Sequence, residues 1–163
     1  MNYAPIPENE NARQCAVLNL KILDTATEER FDRTTKKATE LFHVPISTLS
    51  IIDNNREWYK SKVGIDNSEG PRNISFCGHA LLHHDLFIIE DTLKNPIFAD
   101  NPYVTSTPGI RFYVGKALFK KPENEPVGVF CIKDYSPRKM SMEDISNFLS
   151  LAEEAENELN EEK

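Results

Sequence analysis

The residues best suited to chemistry lie together in one short run, Ser75-Phe76-Cys77-Gly78-His79. It combines a helix-capping hydroxyl, a thiol and an imidazole. A helix N-terminus offers unpaired N–H groups and partial positive charge, which favour anions and can activate a nearby thiol. Cys77 could therefore respond to a ligand or to oxidation. The alternative is a small buried side chain beside a hydrogen-bonded histidine, which is more common for free cysteine.

Metal and disulfide chemistry find little support in the sequence. His79 and His83 would share one face of a helix, but no Glu or Cys completes a recognised metal-binding spacing. The three cysteines, Cys15, Cys77 and Cys131, are far apart and odd in number, so they do not form a disulfide framework. We therefore expect reduced thiols and no metal.

A second group of candidates surrounds the proline-containing stretch from Thr92 to Gly109. Irregular connections of this length tend to be binding loops. Arg111 follows the stretch and could hold an acidic ligand group through paired hydrogen bonds. Alternatively, it could form an internal ion pair with Asp91 or Asp100 that fixes the loop.

Strand alternation places Phe112 and Tyr113 on opposite faces, so only one of them can line a pocket. The predicted ligand contacts are Phe76, Cys77, His79, Asp91, Phe98, Asn101, Arg111 and Tyr113.

The hydrophobic periodicity predicts the elements that must position these residues. Two helices open the chain; the first runs from Asn11 to about Asp24, and the second is capped by Thr27 and stops before Pro45. Ser75 and Ser141 cap two further helices. The predicted strands are 46–52, 57–63, 86–91, 111–119 and 127–132. Strands joined mostly as hairpins indicate an antiparallel sheet and an α+β fold. We expect residues 1–10 to be a flexible segment and 11–160 a single domain.

Composition excludes several classes of function. The chain has 163 residues, a net charge of -7 and 39% hydrophobic residues, which suits one globular domain. It has no basic stripe for a nucleic acid and no run of the ~18 apolar residues that a membrane span needs. Its start lacks the features of a secretory signal, so we expect a cytoplasmic protein.

Several ordered motifs resemble GAF domains, in the branch often placed before diguanylate cyclases and sensor histidine kinases. They are Leu23-Asp24-Thr25 with Glu28-Glu29-Arg30-Phe31-Asp32, Trp58-Tyr59-Lys60-Ser61-Lys62-Val63-Gly64, Pro71-Arg72 with Ser75-Phe76-Cys77-Gly78-His79-Ala80, Phe98-Ala99-Asp100-Asn101-Pro102, and Ile110-Arg111-Phe112-Tyr113. The resemblance implies a sheet of five to six strands, with helices on one face and a loop-covered pocket on the other. It departs at Ile97 and Lys116, so it does not specify a ligand or a cofactor.

The resemblance implies a sensory domain rather than an enzyme. We expect it to bind a small molecule and to relay occupancy through its terminal helices to a kinase, a cyclase or another output partner. The last helix carries a stripe from Ile145 to Leu159, which we expect to pack on the domain up to about Ala152. Its acidic end would then fray or pair in a homodimer.

Three other functions remain open. One is a free methionine sulfoxide reductase that uses Cys77 and Cys131 as nucleophile and resolving thiol. Another is a light sensor with a bilin, although Gly78 separates the cysteine from the histidine that usually follows it directly. The third is a ligand-free dimerisation module, whose cavity is filled by Phe76, Phe98 and Phe112.

Overall fold

A computed structural model describes residues 1–161, and these residues form five α-helices and six strands. The elements are α1 (Glu10–Asn19), α2 (Glu29–Phe42), β1 (Ile46–Asp53), β2 (Arg56–Val63), β3 (Glu69–Pro71), α3 (Phe76–Ala80), β4 (Phe87–Ile89), α4 (Pro102–Thr105), β5 (Phe112–Lys120), β6 (Glu125–Asp134) and α5 (Met142–Leu159). A 3-10 turn at Thr92–Lys94 follows β4.

The strands form one antiparallel sheet in the order β3-β2-β1-β6-β5-β4. The predicted β1–β2 hairpin is confirmed, and Asn54 adopts the left-handed conformation (φ 48°) in its two-residue turn. Asparagine tolerates this conformation better than most residues. Strands β1 and β6, which are distant in sequence, pair at the centre, so every other strand is anchored on them.

Two apolar layers cover the two faces of the sheet. On one face, α1, α2 and α5 pack against the sheet through a cluster that includes Phe31 of α2, Phe148 of α5 and the sheet residues Trp58, Phe112 and Phe130. On the other, α3 and the segment from β4 to β5 cover a smaller cluster built around Phe76, Phe98, Val104, Ile110 and Tyr113. Phe112 and Tyr113 therefore lie on opposite faces, as their alternation requires, and the predicted α+β architecture is confirmed.

Three local predictions need correction. Helix α1 ends at Asn19 rather than near Asp24, because Lys21 and Asp24 have φ values of 57° and 58° that cannot continue a helix. Thr27 does not cap α2; Glu28 occupies that position without a side-chain capping bond. Strand β3 lies inside a predicted loop.

The N-terminal segment contacts the body of the domain at several points. Ala4 donates a backbone hydrogen bond to Asn73 (2.9 Å), and the Met1 amino group pairs with Asp100 at 3.0 Å. In α1, the Glu10 carboxylate pairs with Arg13 at 2.7 Å and with Arg72 at 2.6 Å. Helix α1 is thereby tied to the chain that enters α3.

Helix α5 packs on the domain over nearly its full length, although Leu149 is 39% exposed. The stripe does not end at Ala152: Ala155 and Leu159 are buried as well. Asn160 accepts a hydrogen bond from the Lys121 backbone N–H (2.7 Å) and donates to the Phe119 carbonyl (2.9 Å). The predicted frayed end is therefore wrong for the described part of the helix. A role in dimerisation stays a prediction.

Candidate functional site

Four of the predicted contacts form a packed cluster rather than an open wall. The Phe76 ring stacks 5.0 Å from Phe98 and 5.1 Å from Tyr113, measured between centroids. The Tyr113 hydroxyl donates to Cys77 Sγ at 3.1 Å. All four side chains are essentially inaccessible. The centre of the predicted pocket is thus filled, as the ligand-free alternative expected of Phe76 and Phe98, although Phe112 lies on the other face.

His79 lies at the edge of this cluster. Its ring meets Phe98 edge-on at 4.7 Å, and burial lowers its pKa although the Asn2 backbone opposes the shift. Its Nε2 is buried with no hydrogen-bond partner among residues 1–161. His83 instead contacts Phe87. Within that described range, no three His, Cys, Asp or Glu side chains converge as a metal site would require.

Asn101 and Asp91 organise the long connection between β4 and β5. The Asn101 amide donates to the Ile74 carbonyl (2.9 Å), and its oxygen accepts from the Tyr103 N–H (2.9 Å) at the start of α4. Asp91 accepts from the Leu93 N–H (3.1 Å) and lies on a separate surface groove beside β4. Both side chains shape the loop.

Arg111 also holds this connection, but not through an ion pair. Its guanidinium donates to the carbonyls of Val104 (2.8 Å) and Ile110 (3.2 Å). The expected pairing with Asp91 or Asp100 is wrong, because those carboxylates bind the Leu93 N–H and the Met1 amino group. A direct role in ligand binding for Arg111 and the other seven residues stays a prediction.

An open cavity of about 220 Å³ lies at one end of the same face. It is bounded by the ends of β1, β2 and β6, by the turn after β2, and by the segment around α4. The lining residues are Ile46, Tyr59, Gly64, Ile65, Asn67, Glu69, Tyr103, Ser106, Pro108, Ile110, Lys133 and Tyr135. None of the eight predicted contacts is among them.

A buried chain of polar groups runs from this cavity end into the cluster. Ser50 donates to Glu57 (2.8 Å) and contacts Thr48 (2.9 Å), whose hydroxyl meets Cys131 Sγ at 3.0 Å. The thiols of Cys131 and Cys77 are close enough for each to shift the pKa of the other. Buried side chains of β2, β1 and β6 therefore connect the cavity end to α3.

The two thiols have unequal acidities. Burial raises the pKa of Cys77. Burial alone would also raise the pKa of Cys131, but the hydrogen bonds from Cys77 and Thr48 and the positive charge of Lys133 lower it overall. The two cysteines named in the reductase alternative therefore lie near each other. Both sulfurs are buried, however, so no substrate reaches them in this conformation.

A family model for GAF domains matches residues 26–159. The chain belongs to the GAF domain family. The resemblance to GAF domains noted in the sequence is confirmed. The matched region includes both the aromatic cluster and the cavity.

One relative is a cyclic di-GMP phosphodiesterase of Pseudomonas aeruginosa, 39% identical over 138 residues. The match covers 85% of this chain but only 23% of that enzyme, so the chain spans about a quarter of its relative's length.

Two solved structures illustrate how widely the fold is shared. A domain attributed to a two-component sensor histidine kinase of Sinorhizobium meliloti superposes with a TM-score of 0.64 at 14% identity, covering 83% of this chain and 92% of its own. The free methionine-R-sulfoxide reductase of Neisseria meningitidis, solved with its substrate, gives 0.63 at 13% identity and covers 98% of this chain and 95% of its own. At such identities the likeness concerns the fold alone. None of the described helices of this chain is long and apolar enough to cross a bilayer.

Sequence reasoning missed the cavity because its polar residues carry weak local signals. Lys133 falls one residue beyond the predicted end of the last strand at Ile132, so the strand pattern assigned it to neither face of the sheet. Only the antiparallel pairing of Ile46 with Lys133 places it beside the cavity. Tyr59 was recognised as part of a motif, but its side of the sheet could not be assigned without the register of β2.

Proposed function

We propose that this GAF domain is a small-molecule-binding regulatory module in signal transduction. The observation that carries the proposal is the cavity of about 220 Å³, which retains polar and charged groups on an otherwise tightly packed face. Ligand pockets typically combine apolar walls with a few converging polar groups. The segment from α4 to Pro108 forms one wall, so a bound molecule would order it.

Strand β6 is the proposed route from the cavity to the terminal helices. Cys131 and Lys133 face the cavity side, whereas the alternating residues Phe130 and Ile132 pack under the helices. The Phe130 ring lies 5.5 Å from Phe148 of α5. A ligand that favours one position of β6 would therefore shift the population of α5 positions.

The output is proposed to lie in a partner or in another domain. The relation to a cyclic di-GMP phosphodiesterase supports a role in regulating a cyclase, a phosphodiesterase or a kinase in the cytoplasm. A homodimer through the terminal helices would give α5 a second helix to move against.

The test is whether protein purified from cells carries a small molecule in this cavity. Native mass spectrometry should detect an adduct, and its removal should lower the melting temperature. Ile65→Trp, which fills the cavity from the turn after β2, should abolish the adduct. Leu93→Trp adds the same bulk at an exposed position outside the cavity and should keep it.

Two results together would contradict the proposal. The wild-type protein purified from cells would carry no adduct, and no compound would raise the melting temperature of the wild type more than that of Ile65→Trp. The ligand-free dimerisation module would then be preferred.

A further inference from the structure

Lys133 is a buried cation that lies over an aromatic ring but has no hydrogen-bond or ion-pair partner among the described residues. Its side chain is 7% exposed, and its ammonium makes no hydrogen bond or ion pair with residues 1–161. The ammonium lies 5.7 Å from the centroid of the Phe76 ring. A buried charge normally requires hydrogen-bonding partners, because desolvation is costly.

The other buried lysine of the domain shows what a satisfied ammonium looks like. Lys60 Nζ donates to Thr25 (2.8 Å) and to the Ala26 carbonyl (2.5 Å), and it pairs with Glu28 at 2.8 Å. An ammonium has three donor hydrogens, and all three are used there. Lys133 has the same three donors and lines a cavity instead.

Glu57 keeps Lys133 charged without using its hydrogens. The Glu57 carboxylate accepts from Ser50 at 2.8 Å and from Tyr59 at 3.5 Å, and it lies beyond ion-pairing distance of Lys133. Burial alone would lower the pKa of Lys133, but attraction to Glu57, together with Cys131, Cys77 and Tyr59, outweighs this and raises the pKa. The ammonium therefore stays protonated and needs an acceptor.

Tyr103 adds a second donor. It lines the cavity, and its hydroxyl has no hydrogen-bond partner in the described part of the chain. Burial raises the pKa of Tyr103, and the nearby negative charge of Glu57 raises it further, so the hydroxyl keeps its proton. Glu69, an acidic group at the rim, is already paired with Arg56 at 3.1 Å.

The rest of the cavity limits the size and charge of its occupant. Ile46, Ile65, Pro108 and Ile110 give it apolar walls. Its volume of about 220 Å³ is below the roughly 300 Å³ at which pockets for drug-sized ligands begin. Glu57 offsets much of the positive charge, which disfavours a doubly charged group such as a phosphate.

We infer that the cavity binds a short-chain monocarboxylate, whose carboxylate accepts hydrogen bonds from Lys133 and Tyr103. Its hydrocarbon part packs against the apolar walls. This inference rests on the proposed function and names the ligand class of the same site.

The test compares matched compounds by calorimetry and thermal melting: butyrate and benzoate, the corresponding amides, and butylamine. The carboxylates should bind, whereas the amides should bind at least about tenfold more weakly, because hydrogen bonds to charged groups are the stronger ones. Lys133→Met should lose carboxylate binding, and Lys139→Met, at an exposed position outside the cavity, should retain it. Tyr103→Phe keeps the ring and removes only the hydroxyl, so it should weaken carboxylate binding about tenfold without unfolding the domain.

Two results separate this inference from the proposed function. Amides that bind as tightly as the carboxylates, or carboxylate binding that survives Lys133→Met and Tyr103→Phe, would overturn the ligand class and leave the sensory proposal intact. If carboxylates fail and the cell-purified protein also lacks an Ile65→Trp-sensitive ligand, both fall together.

Discussion

Glu10 shows how one carboxylate can organise two arginines. Burial alone would raise the pKa of Glu10, but hydrogen bonds from Arg13 and Arg72 lower it from 4.5 to about 2. A carboxylate with a depressed pKa stabilises the fold at pH values above its unfolded pKa, and that stability is lost as the pH falls towards the folded pKa. The window for this loss runs from about pH 4.5 down to about pH 2.

Glu10→Gln should therefore lower the free energy of unfolding at neutral pH by about 1–2 kcal/mol, after allowing for solvent screening of this partly exposed group. Urea denaturation across the acid range should show the two curves converging as Glu10 becomes protonated. Glu8→Gln, at an exposed position two residues earlier, should leave stability unchanged. A constant difference at every pH would show that the charge of Glu10 is not what matters.

At this scale, the sequence was informative about residue types and weak on partners. Ser75 was correctly predicted to cap a helix, and its hydroxyl accepts from the Gly78 N–H at 2.9 Å. The ion pair considered for Arg111 with Asp91 or Asp100 is not formed, because its guanidinium donates instead to backbone carbonyls of the connection between β4 and β5. Cysteine proximity was also hidden, since the contact of Cys77 with Cys131 depends on a helix and a strand that are far apart in the chain.

Among the elements, α5 is fastened at both ends. At its start, Ser141 accepts from the Asp144 N–H and Asp144 accepts from the Ser141 N–H, each at 3.0 Å. This capping box satisfies two backbone donors that the helix itself cannot pair. At its end, Asn160 and Glu156 hold the strand that leads into the β5–β6 turn.

Ser141→Ala should lower the free energy of unfolding by about 1 kcal/mol, because it removes the capping acceptor. Ser146→Ala changes the same residue type at an exposed position inside α5, where alanine is the better helix former, so it should be neutral or slightly stabilising. Denaturant unfolding measures both. Equal effects of the two substitutions would mean that the cap contributes nothing.

An element could be predicted when its sequence signals lie within the element itself, and it was missed when it depends on pairing with another segment. Hairpin β1–β2 and helix α5 have their pattern and their end signals within a few residues, and both were predicted. Strand β3, Glu69–Pro71, has no β-strand pattern of its own and exists through its pairing with β2. The end of α1 was misjudged because apolar residues such as Ile22 continue the helical spacing after the backbone has turned away.

For the whole molecule, the two packed faces predict a simple order of cysteine reactivity. Cys15 is exposed, whereas Cys77 and Cys131 are fully buried. An alkylating reagent should modify one thiol rapidly in the native protein and the other two only after unfolding, which mass spectrometry of quenched samples can follow. Cys15→Ser should remove the fast phase alone.

Rapid modification of Cys77 under native conditions would mean that α3 opens readily. It would also revive the reductase alternative, which requires that a substrate reach this sulfur.

The sheet ends on both sides in a strand of only three residues, β3 at one edge and β4 at the other. Little unpaired backbone is therefore available for an incoming strand, and Pro71 removes one further donor. Fibril-like stacking of copies through their rims is disfavoured by this construction. Neighbouring proteins must instead recognise side chains on the broad outer surfaces, where substitutions can change the choice of partner without disturbing the ladder of strands.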